Sequence, residues 1–219
     1  MKKFAFILAA VTMVFFSTTA SAQFMGGNGV GRQVATSDQF SVFWVGYSPT
    51  SLRFAKDKSS YSYSGINTFS VGILHFIPMS GAPVDFEIGG FVDWSNYTEG
   101  NKEKDIYNVV DVKVPVNLMY PLNLADNVVV YPYAGVNARF FVLGRWTEKY
   151  ENESESVDLF GNDFDWYGLK RFSLGYQVGL RARISNIIAG IGYEDMFTSV
   201  TKEDTVKAGY ITISVGVPF

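Results

Sequence analysis

Cysteine is absent from the 219 residues, and histidine occurs once, as His75. Without cysteine the chain forms no disulfide, carries no lipoprotein anchor and has no thiolate metal site. With one histidine, a Ser/His/Asp relay anywhere other than at His75 is excluded. Basic residues do not exceed acidic ones, at 18 Lys and Arg against 21 Asp and Glu, which argues against a nucleic-acid partner. We predict no catalytic residue, no metal and no cofactor.

The sequence also lacks any apolar run long enough for a membrane-spanning helix. Residues 1–22 instead have the pattern of a cleaved secretion signal, with two lysines, an apolar run over 4–16 and a cleavage site Ala-Ser-Ala at 20–22. A transmembrane anchor is the alternative, but the run is short for a span. We predict export through the Sec pathway, a mature chain that starts at Gln23, and a flexible, glycine-rich lead-in over 23–38.

Alternation of apolar and polar residues dominates the rest of the chain, from residue 39 to residue 219. Its period of 2 is that of β-strands. We predict about eight strands, at 40–47, 66–77, 84–94, 110–120, 128–143, 172–184, 187–197 and 210–219. Each is long enough to cross a bilayer when tilted. The alternation does not decide which face of the first strand points inward, because Phe43 and Trp44 are adjacent.

The predicted connections alternate between long and short. Long ones span 48–65, 96–106, 145–170 and 198–206, and short ones span 79–82, 121–127 and 185–186. Outer-membrane barrels show this asymmetry, with short periplasmic turns and long outer loops. With the N-terminus in the periplasm, the long connections face outward.

The polar face of the strands distinguishes a membrane barrel from a soluble ligand-binding barrel, which is apolar inside. In the late strands this face carries small residues, namely Gly175, Gly179, Gly190, Gly192, Ser214 and Gly216. Aromatic residues gather near strand ends, namely Trp94, Tyr97, Tyr107, Tyr120, Tyr131 and Phe197. Small side chains suit a narrow lumen, and aromatic rings suit the headgroup girdles. We predict an all-β fold, an antiparallel up-and-down transmembrane β-barrel of about eight strands over 39–219.

Three segments carry a resemblance to a known family: Val-Pro-Val at 114–116, Met-Tyr-Pro-Leu at 119–122 and Tyr-Pro-Tyr-Ala-Gly at 131–135. On them, the chain resembles the small outer-membrane β-barrel family, loosely called porin-like, that includes OmpX-type and OmpW-type barrels. The resemblance implies a fold and an outer-membrane location but no single activity. Pro115 and Pro132 fall inside predicted strands, where we expect bulges or unbonded ladder positions.

The chain ends on Phe219, preceded by apolar residues at alternate positions. This ending resembles the signal by which the barrel-assembly machinery recognises outer-membrane proteins. The resemblance therefore implies that machinery as a partner, beside outer-membrane lipid and lipopolysaccharide.

Charged residues of both signs fall on the predicted lumen face. They are Asp85, Glu87, Asp93, Asp111, Lys113, Arg139, Arg181, Arg183 and Glu194. We interpret them as an ion-pair network that fills the barrel, because eight strands leave room only for side chains. A selectivity ring in a narrow channel is the alternative. A turn centred near Ala125 places Asp111 opposite Arg139.

His75 needs weighing, because some outer-membrane enzymes that trim lipid A use a His–Ser pair on the barrel exterior. A turn at 80–81 places His75 opposite Phe86 on the lipid-facing side, near the periplasmic end. The substrate of such an enzyme lies in the other leaflet. We interpret His75 as an interfacial side chain.

The acidic stretch 145–170 is interpreted as a solvated outer loop. A weak divalent-cation site around 162–165, Asn-Asp-Phe-Asp, is the alternative, since calcium needs clustered oxygen ligands. Its spacing matches no complete calcium-binding loop.

Together these features predict a non-enzymatic barrel with a filled lumen that presents long outer loops for envelope or surface interaction. A narrow channel for small or apolar solutes is the second hypothesis. A lipid-modifying enzyme is the third.

Overall fold

The computed structural model describes residues 39–56, 59–100, 103–125, 127–150, 153–161, 168–202 and 205–219. The predicted signal and lead-in, and the candidate cation site at 162–165, lie outside the described residues. The described ranges contain ten strands: β1 Phe40–Lys56, β2 Ser59–Pro78, β3 Asp85–Glu99, β4 Lys104–Met119, β5 Leu122–Ala125, β6 Val128–Tyr150, β7 Glu153–Asp158, β8 Phe172–Ile184, β9 Ile187–Met196 and β10 Thr205–Pro218.

Eight of these strands close into a ring of antiparallel neighbours. The order is β4-β3-β2-β1-β10-β9-β8-β6, and pairing of β4 with β6 closes the barrel. The short strands β5 and β7 both pair with β6. The prediction of an up-and-down barrel of about eight strands is confirmed. No helix in the described part of the chain is long and apolar enough to cross a membrane.

The two faces of each ring strand differ as the alternation predicts. In β1 the open question is resolved, since Trp44 points inward and is 1% exposed whereas Phe43 points outward and is 47% exposed. The outward face is apolar around the whole ring. Its exposed residues include Val45, Phe69, Val71, Val92, Val114, Leu118, Val136, Val178, Leu180, Ile191, Ile211, Ile213 and Val215.

Strands extend into three of the predicted long loops. Strand β1 continues to Lys56, and β2 begins at Ser59. Strand β3 likewise continues to Glu99, and β4 begins at Lys104. Strand β6 continues to Tyr150 and is followed by β7, which pairs with it. The loop prediction was wrong there because it relied on apolar alternation. Where both faces of a ribbon are polar this alternation fades, but the backbone ladder persists. The sequence Ser-Ser-Tyr-Ser-Tyr-Ser at 59–64 shows such a ribbon.

Two predicted cross-strand partners are wrong by two residues. His75 lies opposite Ile88 rather than Phe86, and Asp111 lies opposite Phe141 rather than Arg139. Both turns are centred later along the chain than predicted. A displacement of the partner by two residues keeps the side chain on the same face, so the inward and outward assignments are unchanged.

Neither proline in a strand shifts the register. The ladder between β3 and β4 is interrupted where Pro115 would pair with Gly89, and it resumes in the same register at Phe91. Near Pro132 the pairing of β6 is interrupted between β4 and β5, where the Tyr120 amide donates to the Pro132 carbonyl at 3.0 Å. Pro115 is thus at an unbonded ladder position, the second of the two expected solutions, whereas Pro132 keeps a backbone bond through its carbonyl.

The barrel has two ends that differ in their connections. We call the end with the connections 79–84, 120–127 and 185–186 the short-turn end, and the opposite one the long-loop end. An apolar cluster closes the short-turn end, formed by Val42, Trp44, Leu74, Phe76, Met119, Tyr131 and Ile188. A second apolar cluster lies toward the long-loop end, formed by Phe141, Met196, Val200, Val206, Ala208 and Tyr210.

Candidate functional site

A charged layer lies inside the barrel between the two apolar clusters, centred on Arg139. Its Nη1 donates to Asp93 Oδ2 and to Asp111 Oδ2, both at 2.7 Å, and its Nε donates to Glu194 Oε1 at 2.7 Å. Lys113 Nζ lies 3.5 Å from Asp93 Oδ2 and 3.4 Å from Glu194 Oε2. All five side chains are buried. A buried guanidinium with three carboxylate partners is held in one geometry, because each lost partner would leave an uncompensated charge.

A second ion pair lies nearer the short-turn end. Arg181 contacts Glu87, whose Oε1 accepts a hydrogen bond from Asn117 Nδ2 at 2.6 Å. Gln177 Nε2 donates to Asn117 Oδ1 at 2.7 Å, so the side-chain amides of Asn117 and Gln177 connect the ion pair to strands β4 and β8. The guanidinium of Arg181 lies 4.4 Å from the ring centre of Tyr133. Amides and an aromatic face thus support this pair where water is excluded.

The nine predicted lumenal charges are therefore not one network. Seven lie in these two groups, whereas Asp85 and Arg183 lie apart from them at the short-turn end. Asp85 is buried at the first residue of β3, and Arg183 covers the ring of Phe40 at 4.7 Å. The amides Asn117 and Gln177 lie on the predicted polar face, but sequence reasoning gave them no part in the network.

The short-turn end of the lumen is closed by side chains. The seven residues of its apolar cluster are each at most 2% exposed. A cavity of about 40 Å³ lies between this cluster and the charged layer, lined in part by Lys113, Gln177 and Arg181. Such a volume suits one or two water molecules rather than a solute.

A larger cavity of about 430 Å³ occupies the long-loop half of the barrel. Its wall is mostly apolar and includes Leu52, Phe54, Val109, Phe141, Val200, Val206 and Ala208. Tyr210 also lines it, and the guanidinium of Arg139 lies 4.2 Å from the ring centre of Tyr210. The charged layer therefore forms the floor of this cavity. Sequence reasoning missed it, because Leu52 and Phe54 fall in a segment predicted to be loop.

An aromatic wall lines one side of the cavity mouth, from β2 to β6. Ring centres lie 4.9 Å apart for Tyr63 and Tyr97, 6.2 Å for Tyr97 and Tyr107, and 6.3 Å for Tyr107 and Trp146. Burial, and then the negative charge of Asp105 and Glu99, raise the pKa of Tyr107. The wall is therefore set in a negative environment.

Carboxylates follow one another along the edge of this wall. Glu99 is the register partner of Asp105, Asp105 that of Glu148, and Glu148 that of Glu155. We call these four residues the acidic row. Three of them accept hydrogen bonds from aromatic donors: Tyr63 Oη donates to Glu99 at 2.8 Å, Trp146 Nε1 to Asp105 at 2.9 Å, and Tyr150 Oη to Glu148. Within the described ranges, no group of three or more acidic, histidine or cysteine side chains is arranged to hold a metal ion.

A serine–histidine pair lies on the barrel exterior at the short-turn end. Ser41 Oγ is 2.8 Å from His75 Nδ1. In a Ser–His–acid relay the serine bonds to Nε2 and the acid to Nδ1, so this pair has the opposite arrangement. The outward position of His75 near the short-turn end is as predicted, and Ser41 is a neighbour that the sequence did not indicate.

Comparison with known proteins bears on the fold. No protein-family model matches the chain. No curated protein matches it either. Among solved structures, Ail, the attachment invasion locus protein of Yersinia pestis, is 16% identical with a TM-score of 0.47, covering 83% of this chain and 99% of Ail.

A major outer membrane protein from Thermus thermophilus is 13% identical with a TM-score of 0.47, covering 83% of this chain and 99% of its own. The outer membrane enzyme PagL is 11% identical with a TM-score of 0.44, covering 81% and 99%. At these identities the likeness concerns the fold alone. The resemblance to small outer-membrane β-barrels is confirmed at that level, by the eight-stranded ring itself.

Proposed function

We propose that this protein is a non-enzymatic barrel of the bacterial outer membrane, exported through the Sec pathway, with a closed lumen and an outward-facing long-loop end. The observation that carries the proposal is the inversion of its two surfaces. Apolar side chains cover the outside, whereas paired charges are buried inside. A soluble barrel would have the opposite arrangement.

The apolar exterior is continuous and bordered by aromatic rings. Tyr47, Phe69 and Trp94 stand on neighbouring strands, with ring centres 5.4 Å and 5.9 Å apart. Such a row suits the boundary between acyl chains and headgroups. An exposed apolar surface of this extent in water would drive aggregation. The partners we propose for this surface are outer-membrane lipid and lipopolysaccharide.

The filled lumen favours an anchor over a channel. The apolar cluster at the short-turn end closes the lumen, and the space between this cluster and the charged layer is too small for a solute. A role in the envelope or at the cell surface therefore falls to the long-loop end. This end offers the ribbons formed by β1 and β2, β3 and β4, and β6 and β7.

A lipid-modifying activity has one observation in its favour, the exterior Ser41–His75 pair. That pair lies at the short-turn end, which faces the periplasm in the proposed orientation. Its serine contacts Nδ1, the nitrogen that the acid occupies in a hydrolase relay. We expect Ser41→Ala and His75→Ala strains to leave the mass spectrum of lipid A unchanged, and loss of a modified species in both would make the enzyme the better hypothesis.

Heat-modifiable gel migration of the purified outer-membrane fraction tests the proposal directly. A folded barrel resists detergent until it is boiled and then shifts in apparent mass. We expect this shift in the membrane fraction. Recovery in the soluble periplasm without a shift would overturn the proposal in favour of a soluble binding protein.

A further inference from the structure

We propose that the cavity at the long-loop end binds a cationic amphiphile, with its apolar body inside the barrel and its positive head at the acidic row. The inference rests on the proposed function only for the outward orientation of this end. It assigns the cavity a ligand class and makes the lumen a closed binding site rather than a passage.

The cavity has the properties of a built pocket. Its volume of about 430 Å³ lies within the usual range for small-molecule sites. Leu52, Phe54, Val206 and Ala208 form an apolar wall that water solvates poorly, so burying a chain there is favourable. Because Tyr210 and Arg139 close the floor, the ligand enters and leaves through the mouth.

The mouth selects the sign of the head group. Glu99 lines the cavity, and Asp105, Glu148 and Glu155 continue the acidic row on the neighbouring strands. Register partners of like charge repel one another, and a cation at the mouth relieves that repulsion.

Two positive side chains on the other side of the mouth, Lys202 and Arg171, are engaged with backbone carbonyls. Lys202 Nζ donates to the Phe160 carbonyl at 3.4 Å, and Arg171 Nη1 donates to the Val142 carbonyl at 3.1 Å. The Arg171 guanidinium also lies 4.1 Å from the ring centre of Phe160. A carboxylate or sulfate head at the mouth would be repelled by the acidic row, whereas an ammonium head gains from both the row and the ring faces.

The aromatic wall adds a second reason for a cation. Tyr97 and Tyr107 both line the cavity, between Tyr63 and Trp146. Aromatic faces attract ammonium groups, most strongly quaternary ones, when water is excluded. A ligand with a quaternary or primary ammonium head and a short alkyl chain matches the apolar cavity, the acidic row and the aromatic wall.

Isothermal titration of the purified barrel in phosphatidylcholine nanodiscs tests this assignment with three probes. Octyltrimethylammonium carries both the alkyl chain and the cationic head. Octanoate has a similar chain with the opposite charge, and tetramethylammonium has the cationic head alone. Empty nanodiscs correct for partitioning into lipid. We expect saturable one-site binding of octyltrimethylammonium, at least about tenfold tighter than either other probe.

Two variants separate the contributions. Val206→Phe fills the cavity and should abolish binding, whereas Val215→Phe adds the same bulk to the outward face of the same strand and should not. Glu99→Gln keeps the shape of the mouth. It should weaken the binding of octyltrimethylammonium about threefold to tenfold, while the affinity for octanoate stays equal or rises. Because Glu99 is exposed, this variant remains informative if Val206→Phe does not fold.

Each outcome has one meaning. Octanoate binding as tightly as octyltrimethylammonium overturns the cationic assignment, and no saturable binding by a barrel that keeps its heat-dependent gel shift overturns the site. A preparation without that shift shows instead that the proposed outer-membrane barrel is wrong, so the two failures are distinguishable.

Discussion

Arg139 and Tyr210 form the boundary between the filled and the open halves of the barrel, with the guanidinium 4.2 Å from the ring centre. Below this contact the carboxylates of Asp93, Asp111 and Glu194 fix Arg139. Above it lies the apolar cavity. One side chain therefore both binds three buried carboxylates and supports the floor of the binding site.

Replacement of Arg139 by methionine should destabilise the barrel strongly. The variant Arg139→Met removes the partner that Asp93, Asp111 and Glu194 share, leaving buried carboxylates with Lys113 alone. Breaking a buried ion pair in this way costs about 3–5 kcal/mol. Urea unfolding in detergent micelles, followed by tryptophan fluorescence, measures the change.

Arg145→Met is the matched control, because Arg145 lies on the same strand with its side chain exposed. Its effect should stay within about 0.5 kcal/mol. Equal stability of the two variants would mean that the charged layer is hydrated and adds little to the fold.

The sequence predicted the architecture well because the barrel wall imposes one period on the chain. All eight ring strands, and the inward position of Asp111 and Arg139, follow from alternation. Their exact cross-strand partners do not, because a turn displaced by one residue moves the partner by two. The Arg139–Asp111 contact forms nevertheless, since a long guanidinium reaches a residue two positions away on the next strand.

The cavity could not be predicted in the same way. Leu52, Phe54 and Val206 belong to segments whose other residues are mostly polar, so they read as loop. Only the extension of β1 and β10 beyond the apolar belt turns them toward a common interior. The acidic row likewise depends on the register between β3, β4, β6 and β7, which the sequence does not specify.

Tyrosines at the mouth should titrate above their ordinary range. Burial, with hydrogen bonding to Tyr97 and Glu99, raises the pKa of Tyr63, and burial beside Asp105 raises that of Tyr107. Because the folded state favours the neutral phenols, the stability they contribute is present below the ordinary tyrosine pKa and is lost as the pH rises through the folded values. Ultraviolet absorbance at the phenolate band measures this titration.

Tyr63→Phe and Tyr107→Phe should each remove a component that titrates late. Glu99→Gln should move the Tyr63 component toward lower pH. Ordinary titration of both mouth tyrosines would show that the acidic row exerts no field there.

Phe219 should matter for assembly rather than for stability. Its ring is 72% exposed, while its backbone amide donates to the Ser41 carbonyl at 2.8 Å where β10 meets β1. Phe219→Ala keeps that backbone bond and removes only an outward ring. We expect less protein in the outer membrane and more in the periplasm, because the resemblance assigns this ring to recognition by the assembly machinery.

Refolding of Phe219→Ala into detergent should proceed as in the wild type, which separates recognition from folding. Phe197→Ala, another outward phenylalanine with 52% exposure, is the control and should assemble normally. Normal assembly of both variants would exclude Phe219 as the recognised residue.

The wild-type barrel should not conduct ions in planar bilayers, because Trp44 and Phe76 are each 1% exposed within the apolar cluster at the short-turn end. The double variant Trp44→Ala with Phe76→Ala removes two of the three aromatic rings of that cluster. The charged layer above still contains water-sized space beside Lys113, so small discrete conductance steps should appear.

The control variant Phe43→Ala with Phe69→Ala removes two rings from the outward face and should not conduct, provided that all three proteins keep their heat-dependent gel shift. Stable conductance of the wild type at the level of the double variant would mean that the cluster is not a seal, and the channel hypothesis would then replace the anchor.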